Sequence, residues 1–133
     1  GSKLNAAVHV DNANLTLAHA TIAMINPSFE NNVTGITMIG SSTVMIRDTM
    51  IGVVNQMANR SASCILINGT TVFQGFNSSL QAVSASAGYN FYYGGDATDH
   101  MVKFFCCLLD GSASIYGTLI RFGCYNSNGV AVP

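Results

Sequence analysis

The sequence predicts an all-β domain, and more specifically an antiparallel jelly-roll sandwich. Its apolar runs are mostly short and rich in β-branched and aromatic residues, which is typical of strands. Asn68-Gly69 and Asp110-Gly111 each stand between two apolar runs, and such dipeptides favour the type I′ turn of a β-hairpin. The length of 133 residues suits one domain with one core.

The strands follow from these runs in chain order, with Ser, Asn, Gly and Pro marking the turns between them. The predicted strands are Val8–Val10, Leu15–Ile25, Val33–Ile39, Thr43–Ile46, Met50–Val54, Cys64–Ile67, Thr71–Phe76, Leu80–Ser84, Tyr89–Tyr93, Met101–Leu109 and Ser114–Phe122.

A short parallel β-helix is the alternative fold, because apolar residues recur at a spacing typical of stacked rungs. Val10, Ile39 and Ile67 follow one another at nearly equal intervals, and Leu15, Val44 and Val72 keep the same offsets. A fourth rung should place apolar residues near positions 95–100, where Gly-Asp-Ala-Thr-Asp-His stands instead. Because three similar hairpins explain the spacing equally well, the antiparallel sandwich is preferred.

Charge is scarce in this chain, and its scarcity limits the possible partners. Charged residues make up 8% of the sequence and hydrophobic residues 49%, which leaves a small domain with more apolar surface than its own core hides. We therefore expect self-association into a homotrimer. The basic residues are scattered, which argues against nucleic acid as a partner. No apolar run reaches the roughly 18 residues of a membrane span.

The segment from Cys64 to Leu80, which reads CILINGTTVFQGFNSSL, resembles a stretch of C1q/tumour-necrosis-factor-like domains. Thr43–Val54 is similar to the strand, turn and strand that precede it in that family, and Ser112–Phe122 to the closing strand. The resemblance covers about half the chain. It implies a ten-strand jelly roll that forms a homotrimer and caps a fibrous stalk.

This resemblance predicts a non-enzymatic trimeric knob at the tip of a fibrous parent. The most favoured setting is a phage tail needle or fibre, on the virion, that contacts a host cell-surface receptor. The alternatives are a structural cap of a bacterial spore-surface filament and a secreted C1q/tumour-necrosis-factor-like ligand. Residues 1–2 are interpreted as a cloning scar, residues 3–10 as the junction to the parent and residues 11–133 as the knob.

The candidate binding residues are two arginines and a set of aromatic residues. Arg47 and Arg121 lie within predicted strands and are candidates for binding a small anionic ligand or a neighbour's carboxylate, Asp48 or Asp99. The alternative is an outward-facing arginine in solvent. Strict alternation would place Tyr89, Phe91 and Tyr93 on one face of their strand. The predicted subunit-interface residues are Tyr89, Phe91, Tyr93, Tyr116 and Phe122.

No cofactor, metal or catalytic site is predicted. Asp96, Asp99 and His100 are close enough in sequence to hold a cation, but a solvated loop is preferred. No nucleophile–base motif is present. The cysteines are expected to be free and mostly buried, with a Cys64–Cys124 bridge as the alternative. Five glycosylation sequons occur, and in a chain so rich in Asn, Ser and Thr several arise by chance; they begin at Asn14, Asn32, Asn59, Asn68 and Asn77.

Overall fold

A computed structural model describes residues 6–26, 32–57, 60–84, 89–94, 100–114 and 117–133, and every regular element in them is a strand. Over this part of the chain, no helix combines the length and apolar character that crossing a membrane requires. The strands are β1 (Ala6–Asp11), β2 (Asn14–Ala18), β3 (Thr21–Asn26), β4 (Val33–Ile39), β5 (Ser42–Arg47), β6 (Met50–Asn55), β7 (Ala62–Asn68), β8 (Thr71–Phe76), β9 (Ser79–Ser84), β10 (Tyr89–Gly94), β11 (Met101–Phe105), β12 (Leu108–Asp110), β13 (Ser112–Ser114) and β14 (Thr118–Phe122).

The described strands form three parallel sheets that wind around one core as a β-helix. Sheet A has the order β1-β4-β7-β10-β13, sheet B the order β2-β5-β8-β11-β14 and sheet C the order β3-β6-β9-β12. Rung 1 is therefore β1–β3, rung 2 is β4–β6, rung 3 is β7–β9, rung 4 is β10–β12, and β13–β14 begin a shorter rung 5. In sheet B, Val44 pairs with Leu15 on one side and with Phe73 on the other, at equal distances along the sequence.

The predicted antiparallel jelly roll is wrong, because every pairing between the described strands is parallel. Asn68-Gly69 does not close a hairpin. It forms the corner at which the chain leaves sheet A and enters sheet B, so β7 and β8 lie in different sheets. Gly69 has a φ of +118°, and a Cβ on it would lie 2.6 Å from the carbonyl oxygen of Gly40 in the corner stacked beside it. A type I′ turn needs a positive φ at both central residues, and of Asn68 and Gly69 only Gly69 has one, which serves a corner as well as a hairpin.

The repeat does not fail at the fourth rung, contrary to what the polar stretch indicated. Tyr89 pairs with Ala62 in sheet A, and Met101 pairs with Val72 in sheet B. The first of these sequence intervals is slightly shorter than the second, so rung 4 begins early and has a longer connection from β10 to β11. This connection contains residues 95–99. The polar stretch therefore falls between β10 and β11 along the sequence, and apolar residues were expected at the wrong positions.

The core is a stack of apolar side chains in register. On sheet B, Ile46, Gly75 and Phe104 occupy the same inward position in rungs 2, 3 and 4. All three are buried, and the missing side chain of Gly75 leaves room for the ring of Phe104. That ring also packs against Phe73 and Phe91, at centroid distances of 5.6 and 5.9 Å.

Sheet A departs from strict alternation. In each of β4, β7 and β10, neighbouring residues are both buried, which shows that the strand bends around the core there; examples are Gly35-Ile36, Cys64-Ile65 and Phe91-Tyr92. Phe91 and Tyr92 are both buried, so the alternation of buried and exposed residues expected for this strand does not hold there. Phe91 is a core residue, 1% exposed, and not an interface residue.

The corner between sheets B and C is made by a residue of positive φ in rungs 1 to 4 and by Gly123 in rung 5. The φ values range from 48° to 64°, and the residues, called the corner column, are His19, Asp48, Asn77, Cys106 and Gly123. The hydroxyl of the following residue closes the corner in rungs 2 and 3. Thr49 Oγ1 donates to the Arg47 carbonyl at 2.9 Å, and Ser78 Oγ donates to the Phe76 carbonyl at 2.9 Å.

Candidate interaction surfaces

The outer face of sheet B carries a column of phenylalanines, of which Phe76 and Phe105 are half-buried and Phe122 is exposed. Phe76 and Phe105 stack with a centroid distance of 5.2 Å and an interplanar angle of 10°. Phe122 pairs with Phe105 in register and is 69% exposed. We call Phe76, Phe105 and Phe122 the aromatic column. Across the sheet from it, Val72 and Met101 are also exposed, so the C-terminal half of this face is largely apolar.

Between these apolar margins runs a mixed central column. Its members share one outward position in successive rungs and are called the B-mid column: Thr16, Met45, Gln74, Lys103 and Ile120. Lys103 and the exposed Arg47 are the charged residues on this face, and no described residue of sheet B that faces outward is acidic. The face is therefore apolar with a positive charge.

The outer face of sheet C is apolar as well, but its charge is negative. Met50 is 61% exposed and Leu108 44% at one margin, and Ile25 is 67% exposed and Val83 45% at the other. The middle of this face is the C-mid column: Ala23, Gly52, Gln81 and Asp110. A Cβ on Gly52 would meet no atom within 4 Å, and Gly52 lines a shallow depression of about 180 Å³.

A groove of about 500 Å³ follows the corner column between these two faces. Asp48, Asn77 and Cys106 form one wall, and Leu108 and Tyr125 belong to the other. The His19 Nδ1 and Asp48 Oδ2 atoms are 3.8 Å apart in adjacent rungs. The exposed Cys106 thiol is three rungs from His19, roughly 14 Å at the spacing of paired strands, so this imidazole cannot serve it as a base.

The C-terminal end of the β-helix carries a cap on sheet C, while β13 of sheet A and β14 of sheet B each pair with one described strand. Tyr125 continues sheet C beyond Leu108, and its N–H donates to the Cys107 carbonyl at 3.1 Å. The chain then turns back, and the Val132 N–H donates to the Cys124 carbonyl at 2.9 Å. In β14 the inward positions belong to Leu119 and Arg121, and the Arg121 guanidinium lies 5.8 Å from the centre of the Phe91 ring. This end thus carries a folded-back cap and an inward-pointing cation.

The N-terminal end has neither feature among the described residues. Each of β1, β2 and β3 pairs with one described strand, so one edge of every sheet is unpaired there. The inward residues of rung 1 are apolar, yet Leu15, Leu17 and Met24 are only half-buried. An unpaired edge above an apolar interior is a template for another strand, because its N–H and C=O groups and its apolar side chains lack partners.

The predicted site residues do not form one site. Arg47 is exposed on the outer face of sheet B, whereas Arg121 covers the end of the core. Phe122 is exposed in the aromatic column, and Phe91 is buried. The side chains of Tyr89 and Tyr93 and the whole of Tyr116 lie outside the described residues, as do Asp96 and Asp99.

The aromatic column was missed by the sequence analysis, although a signal for it was present. Phe76 and Phe105 are separated by the same sequence interval as Val44 and Phe73, which pair in sheet B. Two aromatic residues at the repeat interval occupy equivalent positions in neighbouring rungs. The repeat could therefore have placed both rings side by side on one face.

The four thiols are free, and the burial predicted for most of them is confirmed for Cys64, Cys107 and Cys124. Burial raises the pKa of Cys107 to about 11, and burial raises the pKa of Cys64 further. These two thiols therefore stay protonated and unreactive near neutral pH. Cys106 is the exposed one.

His100 is buried against Tyr92, with the ring centroids 5.8 Å apart. Within the described ranges, no group of three or more His, Cys, Asp or Glu residues has the arrangement to hold a metal ion. Comparisons of the chain with models of protein families, with curated proteins and with solved structures find no match.

Proposed function

We propose that this protein is a non-enzymatic end module of a fibrous assembly. The observation that carries the proposal is the difference between its two ends. At the C-terminal end the cap extends sheet C and Arg121 points inward from β14, whereas the N-terminal end presents an unpaired edge of all three sheets over half-buried Leu15, Leu17 and Met24. In this proposal the open N-terminal end continues into the rest of the fibre and the capped end is its free tip.

The two ends of the β-helix differ in the strand edges and side chains that they expose to water. A parallel β-helix is stabilised rung by rung, and an end rung gains contacts from one side only. Natural sheets protect a free edge with inward-pointing charges or by covering the edge, and Arg121 and the tail supply both. Rung 1 places Leu15 and Leu17 at the inward positions of its edge, whereas rung 5 has Arg121 at such a position. The apolar side chains of rung 1 gain stability if a further rung covers them.

A phage tail needle or fibre is the setting that we propose, with the capped tip facing the host cell surface on the virion. The phage setting, the spore-surface cap and the secreted ligand were all inferred from a resemblance that implies a jelly roll, so the parallel fold gives none of them support through that resemblance. The scarcity of charge and the abundance of Ser, Thr, Asn and Gly in the sequence support the phage or spore-surface setting over the secreted ligand.

Amide hydrogen exchange tests the polarity of the module. The chain is compared with a longer one that includes the polypeptide preceding it in its parent. We expect the amides of β2 and β3 to exchange at least about tenfold more slowly in the longer chain, because a covering rung pairs their free edge. The amides of β14 at the capped end are the internal control and should not change. Equal exchange in β2 and β3, or a reading frame that begins at this chain, would refute the proposal.

A further inference from the structure

We propose that copies of this chain associate side by side, with the outer face of sheet B of one copy packed on the outer face of sheet C of the next. The inference goes beyond the end-module proposal, because it rests on the lateral faces and not on the ends. It names the partner as a second copy of this chain. It rests on the complementarity of the two faces, rung by rung.

The charges match first. Lys103 is the central outward residue of β11, and Asp110 is the residue that β12 contributes to the C-mid column. Both belong to rung 4, so they lie at the same height along the helix axis. Two copies with parallel axes and no axial shift therefore bring Lys103 of one opposite Asp110 of the other. Asp110 also accepts a hydrogen bond of 2.9 Å from the Ser127 N–H, which fixes its position.

The shapes match in the rungs below. In rung 2, the outward Met45 of the B-mid column comes opposite Gly52 of the C-mid column. A flexible methionine suits the depression of about 180 Å³ at Gly52, because its side chain adapts to irregular spaces. In rung 3, Gln74 comes opposite Gln81, and two amides can exchange a donor and an acceptor.

The margins match in the same order. Sheets B and C meet at the corner column. When sheet B of one copy packs on sheet C of the next, the margin of B beside this corner lies opposite the margin of C beside the same corner of the other copy. This places Phe105 against Leu108 and Phe122 against Tyr125, four side chains that are exposed or half-buried in the single chain. At the far margin Val72 comes opposite Val83. Apolar side chains thereby cover one another at the corner margin in rungs 4 and 5 and at the far margin in rung 3, whereas Arg47 comes opposite Met50 in rung 2.

The charges also select this pairing over a symmetric one. Sheet B packed on sheet B would bring like charges together, since Lys103 and Arg47 are the charged residues of that face among the described positions. Packing of B on C uses two different surfaces, and such a heterologous contact closes into a ring when the rotation divides a full turn. A ring closed by one repeated heterologous contact has at least three copies.

A charge exchange tests the central contact. We expect sedimentation of the wild type to give at least three times the mass of one chain. Lys103→Glu should weaken association by about tenfold or more, because it places two carboxylates opposite each other. Asp110→Lys should do the same, and the double variant K103E/D110K should restore association to within about threefold of the wild type. A monomeric or dimeric wild type, or a double variant no better than either single one, would overturn the proposal.

A second pair of variants separates contact from folding. Gly52→Leu adds a side chain where the single chain has open space, so it should keep the circular dichroism spectrum and yet dissociate the ring. Asp11→Lys is the matched control for Asp110→Lys, since it makes the same change of charge on an exposed residue of sheet A. It should leave the mass unchanged. If Asp11→Lys dissociates the assembly as Asp110→Lys does, net charge and not the B-on-C contact governs association. The masses of these variants do not bear on the hydrogen-exchange test of the N-terminal end, which depends on β2 and β3.

Discussion

Replacing Gly75 with alanine is expected to destabilise the β-helix through one contact. The new Cβ would lie 3.0 Å from Cδ1 of Phe104 and 3.5 Å from Cγ1 of Ile46, in a fully buried layer. Overpacking of this kind costs about 1–3 kcal/mol. The smaller entropy of the unfolded alanine chain returns about 0.4–1 kcal/mol. We expect a net loss of roughly 1–2 kcal/mol in the free energy of unfolding.

The partner variant is Phe104→Leu, which removes the ring that the new methyl group would strike. It gives up two aromatic contacts, with Phe73 and Phe91, each worth about 0.5–1.5 kcal/mol. In the double variant the alanine methyl group occupies space that the ring has left. The double variant should therefore be more stable than the sum of the single effects predicts, by about 1 kcal/mol or more.

The assay is equilibrium unfolding in urea, followed by circular dichroism, at one protein concentration because association also stabilises the folded state. Ile22→Val in sheet C, combined with Gly75→Ala, is the control, since separated sites add to within about 0.5 kcal/mol. If the effects of Gly75→Ala and Phe104→Leu on the free energy of unfolding add as closely as those of the control pair, the contact between these two residues does not limit the packing of this layer.

Three further outcomes are expected. Asn77 has a φ of 48°, so Asn77→Val should lower the free energy of unfolding by about 1–2 kcal/mol, whereas Asn77→Gly should leave it almost unchanged. Equal losses in urea unfolding would contradict the role of this corner. Cys106 should react with a disulfide reagent in the folded protein and Cys107 only after unfolding. Because the pKa of Cys107 rises from 9.0 to about 11 on folding, its contribution to stability is complete below pH 9 and is lost towards pH 11, which urea unfolding across that range will show. Arg121→Met should cost about 0.5–1 kcal/mol by losing its contact with Phe91, and Arg47→Met less than about 0.5 kcal/mol; the reverse order would contradict the positions of these arginines.

The sequence predicted the strands better than their arrangement. Most apolar runs coincide with observed strands, for example Val33–Ile39 and Thr71–Phe76. Three of the predicted strands each contain a corner, Leu15–Ile25 at His19, Met101–Leu109 at Cys106 and Ser114–Phe122 at Gly117. His19 and Cys106 are not glycines, so positive φ left no compositional signal at these two positions.

The direction of pairing was lost for a different reason. An Asn-Gly dipeptide reports a local backbone conformation and says nothing about which strand pairs with which. The regular spacing of apolar residues did carry that information, but the polar residues at positions 95–100 counted against it. The surfaces on sheets B and C could not be seen without the correct register, since residues one repeat apart form one surface only when the rungs stack.

The capped end of this β-helix is also the last part of it to be synthesised. The described strand pairings join residues of neighbouring rungs only, so a rung can form as soon as the next one has left the ribosome. Rung 1 is made before the others, and the cap closes only after Val132 has been synthesised. Under the end-module proposal, we therefore expect the first rung of a nascent chain to pair with the preceding rung of the fibre while the later rungs are still being synthesised. The cap would then act as the stop that ends the addition of strands.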